Sequence, residues 1–142
     1  MSRESRRIAG VLLVVLPTVM IGGVSLLSLL VWEPAYAANQ LRQDLWRAGH
    51  AHAGVLLVLS LVLLPYVDEA RLSAGGKWFV RVSIPSSAIF LPVAFFLSVL
   101  SPDARAPNGF IYLAYVGALV LAAGVVTLGI GLLKKGVDGT RF

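Results

Sequence analysis

One short segment holds most of the residues with chemical potential in this chain. Gln43-Asp44-Leu45-Trp46-Arg47-Ala48-Gly49-His50-Ala51-His52-Ala53-Gly54 contains both histidines. Histidine titrates near pH 6.5 and ligates metals through either ring nitrogen. Two residues along a helix is about 200° of rotation, so His50 and His52 point to nearly opposite faces. They cannot close on one metal as an i, i+4 pair does. Nor can they supply both axial ligands of one haem. A catalytic zinc takes typically three protein ligands. The chain has no cysteine, which excludes disulfides, thiolate metal sites, iron–sulfur clusters and cysteine nucleophiles.

Around His50, Trp46 lies one turn back at i−4 and Arg47 at i−3, so the three can share a face. Asp44 is placed to cap the first turn of this helix, and Glu33 comes from the same side. Gly49, Ala51, Ala53 and Gly54 leave room for a neighbouring backbone or a flat ligand. Three readings are open. The histidines can hydrogen-bond facing helices. His50, His52, Arg47 and Trp46 can hold a haem or a quinone. One histidine can carry protons in a small proton-linked transporter.

The elements that position this segment follow from composition. Hydrophobic residues make up 58% of the 142 and charged residues 13%; mean hydropathy is +0.85. A soluble domain is about 25% charged and cannot hide this much apolar surface. Disorder needs the opposite balance. Four apolar runs, about 8–32, 46–67, 78–100 and 109–133, reach the roughly 20 residues of a bilayer crossing. None has an interior acid or the alternation of a barrel strand. In hydrocarbon such runs become helices, because every backbone polar group must be satisfied internally. The connections hold Pro34 and Asn39, Gly75 and Gly76, and Pro102 and Pro107, residues of turns. Short connections predict a single all-α domain over 1–142, an up-down bundle of four transmembrane helices.

Basic residues orient it. Arg3, Arg6, Arg7, Arg71, Lys77, Arg81, Lys134, Lys135 and Arg141 fall on one side, and only Arg42, Arg47 and Arg105 on the other. The acids Glu4, Asp68, Glu69 and Asp138 join the first group; Glu33, Asp44 and Asp103 join the second. The whole net charge of +5 then sits on one face. Both termini are expected in the cytoplasm, in a bacterial inner membrane. The charge is an orientation signal and needs no nucleic acid. Trp32, Tyr36 and Trp46 on the outer side, and Tyr66 and Trp78 on the inner, suit the two interfaces. From Trp46, His50 is then about 6 Å deep and His52 about 9 Å. Arg3 to Arg7, an apolar run and Ala35-Tyr36-Ala37 imitate a secretory signal. That run is about 25 residues against the 7–15 of a signal core, so it is expected to remain as a span.

Gly117, Gly124 and Gly131 recur every seven residues in the fourth run and make a groove along one helix face. Close approach drives helix association in lipid. This groove predicts either intramolecular contact or a homo-oligomer seam. The third run has Pro85 and Pro92 with Ser83, Ser86, Ser87 and Ser98; Pro17 lies beside Thr18 in the first. Kinks are expected there, with serines serving the carbonyls that proline frees. No phosphate loop, nucleophile elbow, zinc-protease helix or dinucleotide fingerprint occurs. No membrane-embedded acid of the kind small multidrug transporters use is present either.

The stretch Leu45 to Leu56, with Phe96-Leu97-Ser98-Val99-Leu100-Ser101-Pro102-Asp103, resembles a family of uncharacterised small four-helix bacterial integral membrane proteins. That resemblance implies the four-span fold and no particular activity. The helical His50-Ala51-His52 is also similar to histidine-bearing helices of the haem–copper oxygen reductases, over that segment alone. Those enzymes carry many more spans and histidines, so no catalytic residue is transferred. The expectation is a non-enzymatic membrane protein with a structural or accessory role, in contact with the bilayer and with a membrane-complex partner. A redox component and a small transporter are the alternatives.

Overall fold

The computed structural model describes residues 1–134 and is helical throughout its regular elements. Four helices are long and apolar enough to cross a membrane. Lys135, Asp138 and Arg141, which sequence assigns to the basic side, lie outside the described residues.

Helix α1 runs Arg3–Trp32, and the Ser2 side chain accepts from the Ser5 N–H at its start. It stops at Glu33, whose extended backbone is what a residue before proline adopts. Pro34 then opens a single turn, α2, Pro34–Ala37. Helix α3 runs Gln40–Glu69. Its cap is Asn39, which accepts from the Arg42 N–H, and this corrects the expectation of Asp44. The amphipathic start of α3 lies before its apolar run, so hydropathy misses it. Asp44 sits inside the helix and accepts from Gln40 Nε2 one turn back.

Helix α4, Ala74–Ser98, is capped by Ser73. Its serines do not serve the carbonyls that Pro85 and Pro92 free. Ser86 donates to Val82 O and Ser87 to Ile84 O, not to the i−4 carbonyls of Arg81 and Ala88. A serine reaches three or four residues back, and none stands at the offset the prolines require. Thr18 likewise donates to Val15 O, not to the Leu13 carbonyl opposite Pro17. A 3-10 turn, Gly109–Ile111, led by Asn108, delivers the chain into α5, Tyr112–Leu133.

Successive long helices run antiparallel but do not close into a square. Helix α4 is central, against α3 on one side and α5 on the other, whereas α1 lies along α3. None of α1's most apolar stretch is buried, against 44% of α4's. The centre is built from Val67, Val80, Ile84 and Leu128. A second cluster, Leu12, Leu57 and Leu64, fixes α1 to α3. Elsewhere large apolar side chains such as Val14, Ile21, Val126 and Leu119 face outward.

The glycine row of α5 is covered by its own chain. A Cβ on Gly117 would stand 2.5 Å from Leu91 Cδ1, and one on Gly131 would stand 2.6 Å from Leu72 Cγ. One on Gly124 would enter Ser83 Oγ. Gly117 and Gly124 therefore serve the α4–α5 contact, and Gly131 admits Leu72 of the connection between α3 and α4. Self-association through these glycines would have to displace α4.

Candidate functional site

Polar side chains gather in two layers, one at each end of the helices. At the first, Asn39 caps α3 with Oδ1 and donates through Nδ2 to Pro102 O and Ala104 O, tying two connections together. Arg42 is 7% exposed. Its Nε donates to Val99 O at 3.1 Å and its Nη2 to Leu100 O at 3.3 Å. These are carbonyls at the C-terminal end of α4, which otherwise lack partners and carry the negative end of the helix dipole. The guanidinium also lies 4.5 Å from the Trp46 ring centre and 5.9 Å from that of Tyr36, a cation–π arrangement. Gln43 Nε2 donates to Tyr36 O and Ala37 O, closing α2, and its Oε1 accepts from Arg47. The Trp46 indole donates to Phe96 O at 3.1 Å. Tyr36 is 1% exposed, and burial pushes its phenol pKa up.

The segment singled out by sequence divides between two neighbours. Trp46, Gly49 and His52 face α4. A Cβ on Gly49 would meet Phe95 and Phe96, and the His52 ring centre is 5.2 Å from that of Phe95. His52 Nδ1 lies 2.7 Å from Ala48 O, so that nitrogen carries the proton and donates. His50 and Gly54 face α1. A Cβ on Gly23 would stand 3.0 Å from His50 Nε2, and one on Gly22 would stand 3.5 Å from Nδ1. The paired glycines make the notch that admits the ring. Arg47 turns back along α3 to Gln43.

Trp46, Arg47, His50 and His52 thus do not converge. The two histidines fit no single haem between them, and one ring nitrogen of His52 is engaged by its own helix. Among the described residues, no group of three histidine, cysteine or acidic side chains is placed to hold a metal.

Sequence reading missed the second layer. Asp68 accepts from Ser5 Oγ at 2.8 Å and Arg81 Nη2 at 2.6 Å through Oδ1, and from the Ser2 N–H at 2.6 Å through Oδ2. Arg81, 8% exposed, also donates through Nε to Ser5 Oγ and through Nη2 to Ser2 Oγ. Lys77 Nζ donates to the Asp68 backbone carbonyl. The Arg71 N–H donates to Gly131 O at 2.9 Å, bringing in the end of α5. All four long helices are joined here. The available signal was Arg81 itself, a charge three residues inside an apolar run, which requires a partner.

No protein-family model, curated protein or solved structure matches this chain.

Proposed function

We propose that this chain is a four-span integral protein of a bacterial inner membrane, with both termini cytoplasmic and a non-catalytic structural or accessory role. The observation that carries this reading is the separation of the polar layers by an apolar middle. Along α4, Arg81 in one layer and Val99 in the other are 18 residues apart, about 27 Å at 1.5 Å per residue. A hydrocarbon core is about 30 Å thick. Between the layers, the buried hydroxyls of Ser60, Ser83 and Ser87 donate to carbonyls of their own helices, as hydrocarbon demands. The layer with Arg71, Lys77 and Arg81 carries the basic excess that marks a cytoplasmic face.

The non-catalytic part rests on how the polar groups are used. Arg42, Gln43, Trp46 and His52 spend hydrogen bonds on backbone carbonyls. Arg42, Gln43 and Trp46 end helices and join them, and His52 bonds within its own helix. A scaffold of this kind suits an accessory subunit that presents its apolar flanks to lipid and to a membrane partner.

The absence of cysteine makes the test direct. Asp103→Cys and Gly75→Cys are labelled separately in intact cells with a membrane-impermeant maleimide. Reaction at position 103 alone is the expected result. Reaction at 75 alone reverses the orientation, and recovery of the protein in the soluble fraction overturns the reading.

A further inference from the structure

Helices α1 and α4 meet through Arg81, Ser2 and Ser5 at the Asp68 end. Beyond that contact a groove of about 650 Å³ lies between them, floored by Ala53 and Leu57 of α3. Val11 and Val15 form one wall; Val82, Pro85 and Ile89 form the other. The hydroxyls of Thr18 and Ser86 are turned onto Val15 O and Val82 O of their own helices, so they offer no donor to a polar ligand. The lining on α1 extends from Arg7 to Val19. The two are 12 positions apart, about 18 Å of helix, or slightly more than half of a roughly 30 Å hydrocarbon core.

The mouth is cationic. Asp68 neutralises Arg81. Arg7 is exposed at the rim, with Arg3 and Arg6 within the same two turns and Glu4 the only acid among them. An apolar slot one leaflet deep, with free positive charge where the head-group region begins, is complementary to an amphiphile with an anionic head.

We propose that this groove holds one acyl chain of an anionic glycerophospholipid, whose phosphate sits on Arg7. The inference rests on the membrane reading above. It does not depend on which leaflet the Asp68 end faces.

Native mass spectrometry of the detergent-purified full chain tests it, with phosphatidylglycerol and phosphatidylcholine of identical chains titrated in parallel. One phosphatidylglycerol is expected to bind in preference. Arg7→Gln, on the exposed surface, should weaken phosphatidylglycerol about fivefold and phosphatidylcholine, whose choline offsets its phosphate, by less. Ile89→Trp, at a side chain 63% exposed in the groove, should displace the chain of either lipid. Val126→Trp, on the outer face of α5, should displace neither. Equal binding of the two lipids, or wild-type phosphatidylglycerol binding by both Arg7→Gln and Ile89→Trp, overturns the proposal. Expected cysteine labelling with no lipid preference overturns this inference alone. Reversed labelling with the preference retained overturns only the orientation.

Discussion

Arg81, three residues inside the apolar run of α4, makes a 2.6 Å ion pair with Asp68 at the end of α3. Two serines at the start of α1 complete the pair's hydrogen bonds. Removing one partner of such a pair strands the other away from water. Replacing both by apolar groups of similar volume often costs little. Arg81→Met is therefore expected to destabilise the protein by about 3 kcal/mol. The double variant Arg81→Met with Asp68→Leu should regain most of that loss. Reversible unfolding in mixed micelles measures both, and a double variant no better than the single one would refute the assignment.

The glycine row of α5 predicts a contrast within one helix. Gly124→Ala forces a methyl into Ser83 and Ile84, and overpacking of this kind costs roughly 1–3 kcal/mol. Gly129→Ala has nothing within 4 Å to meet and should be neutral or slightly stabilising. Gly124→Leu should lose the folded protein itself. If it kept a stable fold and only dissociated an oligomer, the row would be an intermolecular seam.

The His50 notch should behave as a coupled pair. Gly23→Ala narrows it by a methyl 3.0 Å from Nε2, and His50→Ala empties it. In the double variant the methyl has no ring to meet. A double-mutant cycle should show coupling of about 0.5–2 kcal/mol. Disulfide trapping between cysteines placed in α1 and α3 reads the helix separation independently. Additive effects would mean that the ring does not occupy the notch in the membrane.

At the opposite end, Arg42 makes two bonds to carbonyls of one helix end and lies against Trp46. A lysine keeps the charge but lacks the planar fork. Arg42→Lys should cost about 1–2 kcal/mol and Arg42→Ala more. Arg42→Ala should shift the tryptophan emission, because the cation leaves the indole, and Arg42→Lys should shift it less. An unchanged spectrum in Arg42→Ala would place the guanidinium elsewhere.

The purified protein is expected to show no Soret band, because His50 faces α1 and His52 faces α4, so the two rings cannot clamp one haem between them. A Soret band abolished by His50→Ala or His52→Ala would restore the redox alternative.

Local features were legible from sequence because their causes are local. The four apolar runs are helices, as their length and composition predict for segments whose backbone must satisfy itself. The opposite headings of His50 and His52 follow from helical pitch alone. Turn residues marked each connection between the long helices. The cap of α3 was misplaced because Asn39 opens a polar first turn that hydropathy does not register.

Tertiary structure decided what each polar or small residue does. Arg42 and Val99 are 57 positions apart, and Arg81 reaches Ser5 across 76. Which distant carbonyl or carboxylate meets a given guanidinium depends on how the helices cross, and no periodicity encodes that crossing. A glycine row likewise announces a close approach without naming the neighbour. The groove beside α1 exists because α1 rests on α3 while α4 is held by α3 and α5. That is a property of the assembled helices, and no single helix carries it.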